Sequence, residues 1–130
     1  MEVRNANDFE TAFKEATKAG SAALAVTGSP FMNSNQKRIA ELAIKHRLPA
    51  IYTRADYVAS GGLMSYGADR TEPTKRAAYY VDRILKGAKP ADLPVEQPMR
   101  FELVINLKTA KTLGLTIPPM VLTRATKVVK

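Results

Sequence analysis

The chain has no cysteine and no tryptophan, and a single histidine, His46, among its 130 residues. Without cysteine there is no thiol nucleophile, no disulfide framework and no thiolate zinc site. One histidine excludes a multi-histidine metal centre and removes the usual agent of acid–base chemistry near neutral pH. Long apolar runs are missing too. The longest is AALAV at 22–26, against the roughly 20 residues a helix needs to cross a bilayer. The opening MEVRNANDFE puts an acid at position two and has no basic stretch leading into an apolar one, so it does not read as an export signal. No GxGxxG follows a strand pattern and no GxxxxGK occurs, which excludes the usual dinucleotide and phosphate-loop fingerprints. An enzyme is not expected, for want of a nucleophile–base pair, and neither a cofactor nor a metal is expected.

What is present fits one α/β domain. A chain of this length, 45% hydrophobic and 25% charged, buries roughly two-thirds of its unfolded surface without needing a disulfide or a metal. The net charge of +8 is the unusual bulk property. It divides as +2 over residues 1–70 (9 basic, 7 acidic) and +6 over 71–130 (11 basic, 5 acidic). The excess is dispersed, with no Lys/Arg block and no zinc-finger or RNP-like pattern, so weak polyanion affinity is the most it implies and nucleic acid is not an expected partner.

Along the chain, Asn7 and Glu10 have capping-box spacing, and Phe9, Ala12, Phe13, Ala16 and Ala19 follow at helical period until Gly20. Ser21–Val26 is a short apolar run ended by Thr27-Gly28-Ser29-Pro30, predicted to be a strand buried on both faces. Asn33 and Gln36 open a predicted helix reaching His46, with Ile39, Leu42 and Ala43 inward, and Leu48–Tyr52 is a second strand. TRADYVASGG has room for a helical turn before Leu63–Tyr66, a third strand. Pro73 suits the first turn of a helix whose apolar residues Ala77, Val81, Ile84 and Leu85 run to a stop at Gly87. Three prolines in AKPADLPVEQP forbid a helix there and predict an extended crossover. Phe101–Asn106 alternates like a strand with one better-buried face, as at a sheet edge or lobe boundary; a short helix to Leu113 and a last helix from Pro118-Pro119 to about Val129 complete the pattern. Alternating buried strands and amphipathic helices predict a mainly parallel sheet flanked by helices. In such folds ligands bind beyond the C-terminal strand ends, here the loops TGSPFMN, TRADY and GADRT.

Those loops hold the candidate residues. Asp69 follows a strand end and a glycine, so it is either a helix cap or an acceptor for a ligand amine or hydroxyl. Asp56 reads as a loop or cap residue. Phe31, Tyr52, Tyr57 and Tyr66 near the strand ends are either rim packing or a stacking surface for a planar or apolar ligand. His46, beside Lys45 and Arg47 at a helix end, suits the helix dipole rather than catalysis. Gly61-Gly62 precedes a strand and not a helix, so it is a turn and not a phosphate cradle.

Four stretches, LAIKHRLPAIY, GGLMSYGAD, AAYYVDRILKGAKPADLPVEQP and FELVINLKTAKTLGLTIP, resemble the substrate-binding proteins of bacterial ABC transporters, in the group with tryptophan- and tyrosine-binding members. The resemblance implies one lobe, the C-terminal one, of a type I periplasmic-binding-protein-like fold over 1–130. Residues 94–130 would be the crossover and the segment that packs on a further, N-terminal lobe. It implies capture of a small amino-acid-like or aromatic solute between lobes, delivery to an ABC permease, and no chemistry. Ligand contacts would fall on Thr27, Ser29, Pro30 and Phe31, on Tyr52, and on Ser65, Tyr66 and Asp69. A chain truncated to one lobe would offer half a cleft and would tend to form a homo-oligomer through the uncovered surface. An alternative role is then a self-associating interaction module with no ligand of its own. The family works in the periplasm; with no export signal, the chain would be cytoplasmic if it were the whole gene product.

Overall fold

A computed structural model of the chain describes residue 3 and residues 5–130. The polypeptide forms two compact units: residues up to Gly67 together with Glu102–Lys130, and residues 68–101.

The first unit is built on a five-stranded sheet in the order β1 (Leu24–Val26), β2 (Ala50–Tyr52), β3 (Met64–Ala68), β4 (Phe101–Asn106), β5 (Lys127–Val129). The β1–β2, β2–β3 and β4–β5 pairs are parallel, with Leu24 opposite Ala50, Tyr52 opposite Ser65 and Ile105 opposite Val128. The expected mainly parallel α/β architecture is therefore present. Side chains alternate across such a sheet. Ala50, Tyr52 and Ser65 are buried on one face, whereas Ala25, Ile51 and Tyr66, on the other, are exposed.

Helices α1 (Asp8–Lys18) and α3 (Gln36–Lys45) pack on each other and bury the residues their periodicity selects: Phe9, Ala12, Phe13 and Ala16 from one, Ile39, Ala40, Leu42 and Ala43 from the other. With Leu48, Tyr52 and Tyr57 they form the core; each large apolar side chain so buried contributes about 1.5–3 kcal/mol. The start of α1 is fixed differently from the expected capping box. Asn7 makes no side-chain cap; instead Asn5 Oδ1 accepts from Asn7 N (2.9 Å) and Asp8 Oδ2 accepts from Asn5 N (3.1 Å). His46 ends α3 stacked 5.8 Å from Phe13, a packing role.

Four expectations are corrected. Strand β1 is three residues long and lies at the sheet edge, so Ala25 is exposed rather than buried on both sides. The helix expected from Asn33 is two: Ser29 Oγ accepts from Met32 N (3.2 Å) and Pro30 sits at the first position of α2 (Pro30–Ser34), which breaks at Asn35 before α3. Strand β4 is not at the sheet edge, the first of its two expected positions: it lies between β3 and β5 and buries Val104, Ile105 and Asn106. The last helix is short, α7 (Pro119–Arg124), and the chain then pairs as β5, because Lys127–Val129 finds a parallel partner in β4 that no local signal announces. Helix α4 (Ala55–Ala59) is the expected single turn, and α6 (Leu107–Thr112) is capped by Asn106 Oδ1 accepting from Thr109 N (3.1 Å).

The second unit consists mainly of α5 (Thr71–Leu85), a 3₁₀ turn at Pro90–Asp92 and an extended return to Arg100. Gly87, at φ +102°, stops α5 as its sequence predicts. No described residue of 68–101 is buried: Val81, Ile84, Leu85, Val95 and Met99 are all exposed. Internal ties are polar. Arg76 binds Glu96, with Nε donating to Oε2 at 2.8 Å, and its guanidinium lies 4.3 Å from the Tyr79 ring centroid; Tyr80 donates to Pro94 O (2.7 Å); Asp69 N donates to Arg100 O (3.0 Å).

Candidate functional site

The C-terminal ends of β1, β2 and β3 are drawn together around Thr53. A Cβ on Gly67 would lie 2.0 Å from the Thr53 carbonyl oxygen, and one on Gly28 would lie 3.0 Å from Thr53 Oγ1. A side chain is thus excluded at Gly67 as the backbone stands, whereas at Gly28 a Cβ would press on the end of the Thr53 side chain. Gly28 also faces the Asn33 side-chain amide, and Tyr57 donates a long hydrogen bond, 3.4 Å, to Asn33 Oδ1.

Of the residues the sequence selects, Thr27 and Tyr66 are exposed at these ends, and Pro30 is exposed at the start of α2. Ser29 is half-buried and its hydroxyl is committed to Met32 N. Phe31 is half-buried and stacks on Phe9 with centroids 5.4 Å apart, so its ring serves the core. Tyr52 and Ser65, each 1% exposed, face inward on paired strands. The Tyr52 ring stacks on Tyr57 at 4.5 Å, its hydroxyl has no hydrogen-bond partner among the described residues, and burial pushes the phenol up from its ordinary value.

Asp69 belongs to the second unit. Its carboxylate accepts from Thr71 N at 2.8 Å, and that backbone hydrogen bond, with the Thr71 side chain and the Arg100 and Lys75 charges, holds it below the usual carboxylate range. It is a cap at the start of α5. A cavity of about 690 Å³ lies within this unit, between α5 and the returning segment, walled by Pro73, Arg76, Tyr80, Glu96 and Arg100 among others. It is an open trough beside a helix with no buried residue, not a closed pocket.

Sequence reasoning missed two residues at the strand ends. From sequence Asn33 reads as a helix cap, and Thr53 is not distinguished although it directly follows a buried strand, the position from which parallel sheets present ligand contacts. Tyr57 reads from sequence only as an aromatic, whereas its hydroxyl donates a long hydrogen bond to Asn33 Oδ1. Among the described residues no group of three His, Cys, Asp or Glu is placed to hold a metal, and no helix is long and apolar enough to cross a membrane.

Known proteins resemble this arrangement. A conserved domain protein from Vibrio cholerae has a TM-score of 0.85 at 30% identity, over 94% of this chain and 41% of its own. A Streptococcus pneumoniae ABC domain crystallised with L-Trp has a TM-score of 0.87 at 28% identity, over 99% and 43%. A ligand-free, open substrate binding protein with adhesive properties from Clostridium difficile shares the fold at 18% identity, with a TM-score of 0.69 over 98% and 42%. An uncharacterized protein of Rickettsia prowazekii is 26% identical over 107 residues, which are 82% of this chain and 35% of that protein. The chain therefore spans well under half the length of these relatives. The profile of one family matches residues 1–129, and with a parallel α/β unit whose strand ends converge on Thr53, the chain belongs to the ABC transporter substrate binding proteins.

Proposed function

We propose that the chain forms one wall of a cleft between two lobes that captures a small amino-acid-like or aromatic solute outside the cytoplasmic membrane and hands it to an ABC permease, with no chemical step. The observation that carries this reading is the convergence of three parallel strand ends on Thr53, the place where α/β sheets receive ligands. The L-Trp held by the Streptococcus relative supports the solute class. At the strand ends, Thr27, Ser29, Pro30, Phe31, Tyr52, Ser65 and Tyr66 line or underlie the wall, with Thr27 and Tyr66 outermost; Asp69 serves by anchoring α5.

The chain leaves the first unit after Gly67 and re-enters at Glu102, and the excursion between exposes Val81, Ile84, Leu85, Val95 and Met99. We propose that the exposed apolar side chains of 68–101 join 94–130 in the surface that packs against a further lobe, with β4 and β5 themselves paired in the sheet.

Thermal unfolding of the product of the complete open reading frame, with a panel of amino acids, tests the function. A solute bound only by the folded state at 100 times its Kd adds about 2.7 kcal/mol of stability, a shift of several degrees. No shift with any solute overturns the proposal.

A further inference from the structure

The absent Cβ of Gly28 leaves a notch at the end of β1. One side is Thr53 Oγ1, 3.0 Å from the point that Cβ would occupy; the other is the Asn33 amide, with Oδ1 at 3.7 Å and Nδ2 at 4.0 Å. The Asn33 oxygen accepts a long hydrogen bond, 3.4 Å, from the Tyr57 hydroxyl, which favours the amide orientation seen here and leaves Nδ2, 4.0 Å from the notch, as its donor. Burial pushes the Tyr57 phenol up while the Arg54 charge pulls partly back, so the hydroxyl stays protonated and keeps donating. Neither Thr53 Oγ1 nor Asn33 Nδ2 has a hydrogen-bond partner among the described residues. The nearest carboxylate along the chain, Asp56, is paired with Arg54 and adds no unbalanced negative charge.

Thr53 Oγ1 and Asn33 Nδ2 are both available to donate here, and the Asn33 oxygen already accepts one hydrogen bond, an arrangement that suits an acceptor oxygen. We infer that the Gly28 notch, walled by Thr53 and Asn33, seats a carboxylate oxygen of the solute, and that Tyr57 is a positioning residue that holds the Asn33 amide in its donating orientation. None of Gly28, Asn33 and Thr53 is among the contacts the family resemblance implies. The inference rests on the solute-binding reading and deepens it by naming the group that is read.

The test is titration of the isotopically labelled chain, followed by the backbone signals of Gly28 and Thr53 and the side-chain NH₂ signal of Asn33. The probes are L-tryptophan and benzoate, which carry a carboxylate, and tryptamine, which does not. Both carboxylates are expected to move these signals, and tryptamine to leave them in place. Asn33→Asp keeps an acceptor for Tyr57 but replaces the donor with a charge that repels the ligand. It should weaken both carboxylates about tenfold or more, the range for a lost hydrogen bond to a charged group, without changing the unfolding midpoint. Gly28→Ala, whose Cβ would fill the notch 3.0 Å from Thr53 Oγ1, should weaken both carboxylates likewise. Tyr57→Phe should also weaken the carboxylates, with the Asn33 NH₂ signal broadened as the amide loses its fixed orientation. A notch silent to carboxylates, or a tryptamine response equal to that of L-tryptophan, overturns the inference. So does unchanged binding by Asn33→Asp. The solute-binding reading survives any of these results so long as the thermal shifts with amino acids persist.

Discussion

Tyr52 presents a buried hydroxyl with no partner among the described residues on a ring that is otherwise well placed, stacked 4.5 Å from Tyr57. The stack contributes about 0.5–1.5 kcal/mol and survives in phenylalanine. An unpartnered buried polar group costs about 1–3 kcal/mol. Tyr52→Phe is therefore expected to be neutral or to stabilise by up to about 1 kcal/mol, read from the midpoint of urea unfolding. A loss of that size would mean the hydroxyl is satisfied. Gly67 is the opposite case, since a Cβ there would meet the Thr53 carbonyl at 2.0 Å. Gly67→Ala should destabilise by about 1–3 kcal/mol through forced backbone movement. The position of Tyr52 at a strand end is legible from the sequence, because the apolar run of β2 stops there. Its direction is not. Alternation divides a strand into two faces but does not say which of them the helices cover, and here α1, α3 and α4 cover the face of Tyr52 and leave Ile51 exposed. The crowding at Gly67 is equally invisible, since it arises between residues separated in sequence.

Helix α5 divides the legible from the illegible at the scale of an element. Its apolar period, its proline in the first turn and its glycine stop are all local, and the helix lies where they put it, Thr71–Leu85. What its apolar stripe meets is not encoded locally, and none of it is buried. The same limit explains β4 and β5. A strand that alternates with one better-buried face reads as an edge until a three-residue neighbour, itself too short to announce a strand, pairs with it. The cap of α5 supports a pH expectation. Asp69 is held below its ordinary value by the hydrogen bond from Thr71 N. A carboxyl depressed in the folded state contributes stability that is fully present above its unfolded pKa, roughly 3.9, and is lost as pH falls through the lower folded value. The first turn of α5 should therefore hold at neutral pH and loosen below about pH 4. In Asp69→Ala the Thr71 amide should exchange faster at neutral pH, and the acid-induced loosening at that turn should disappear. Equal exchange in the two proteins would remove the cap from the account of α5.

At the scale of the whole molecule, two properties oppose each other. Residues 68–101 leave Val81, Ile84, Leu85, Val95 and Met99 in solvent, and uncovered apolar surface favours association. Two copies each carrying +8 repel one another. If the further lobe is not there to cover α5, a second copy is the available cover, and the chain alone should self-associate. Its dependence on salt has a definite sign. Screening between like-charged copies improves as the Debye length falls from about 30 Å at 0.01 M to about 8 Å at 0.15 M, so association should strengthen as salt is added. Binding to a polyanion would weaken over the same range. Sedimentation at several protein concentrations should show a monomer–dimer equilibrium that shifts toward dimer with salt, and Ile84→Glu with Leu85→Glu should return it to monomer without changing the unfolding of the first unit. A monomer at every salt and protein concentration would mean that the exposed stripe of α5 is too small to recruit a partner, and that only a further lobe covers it.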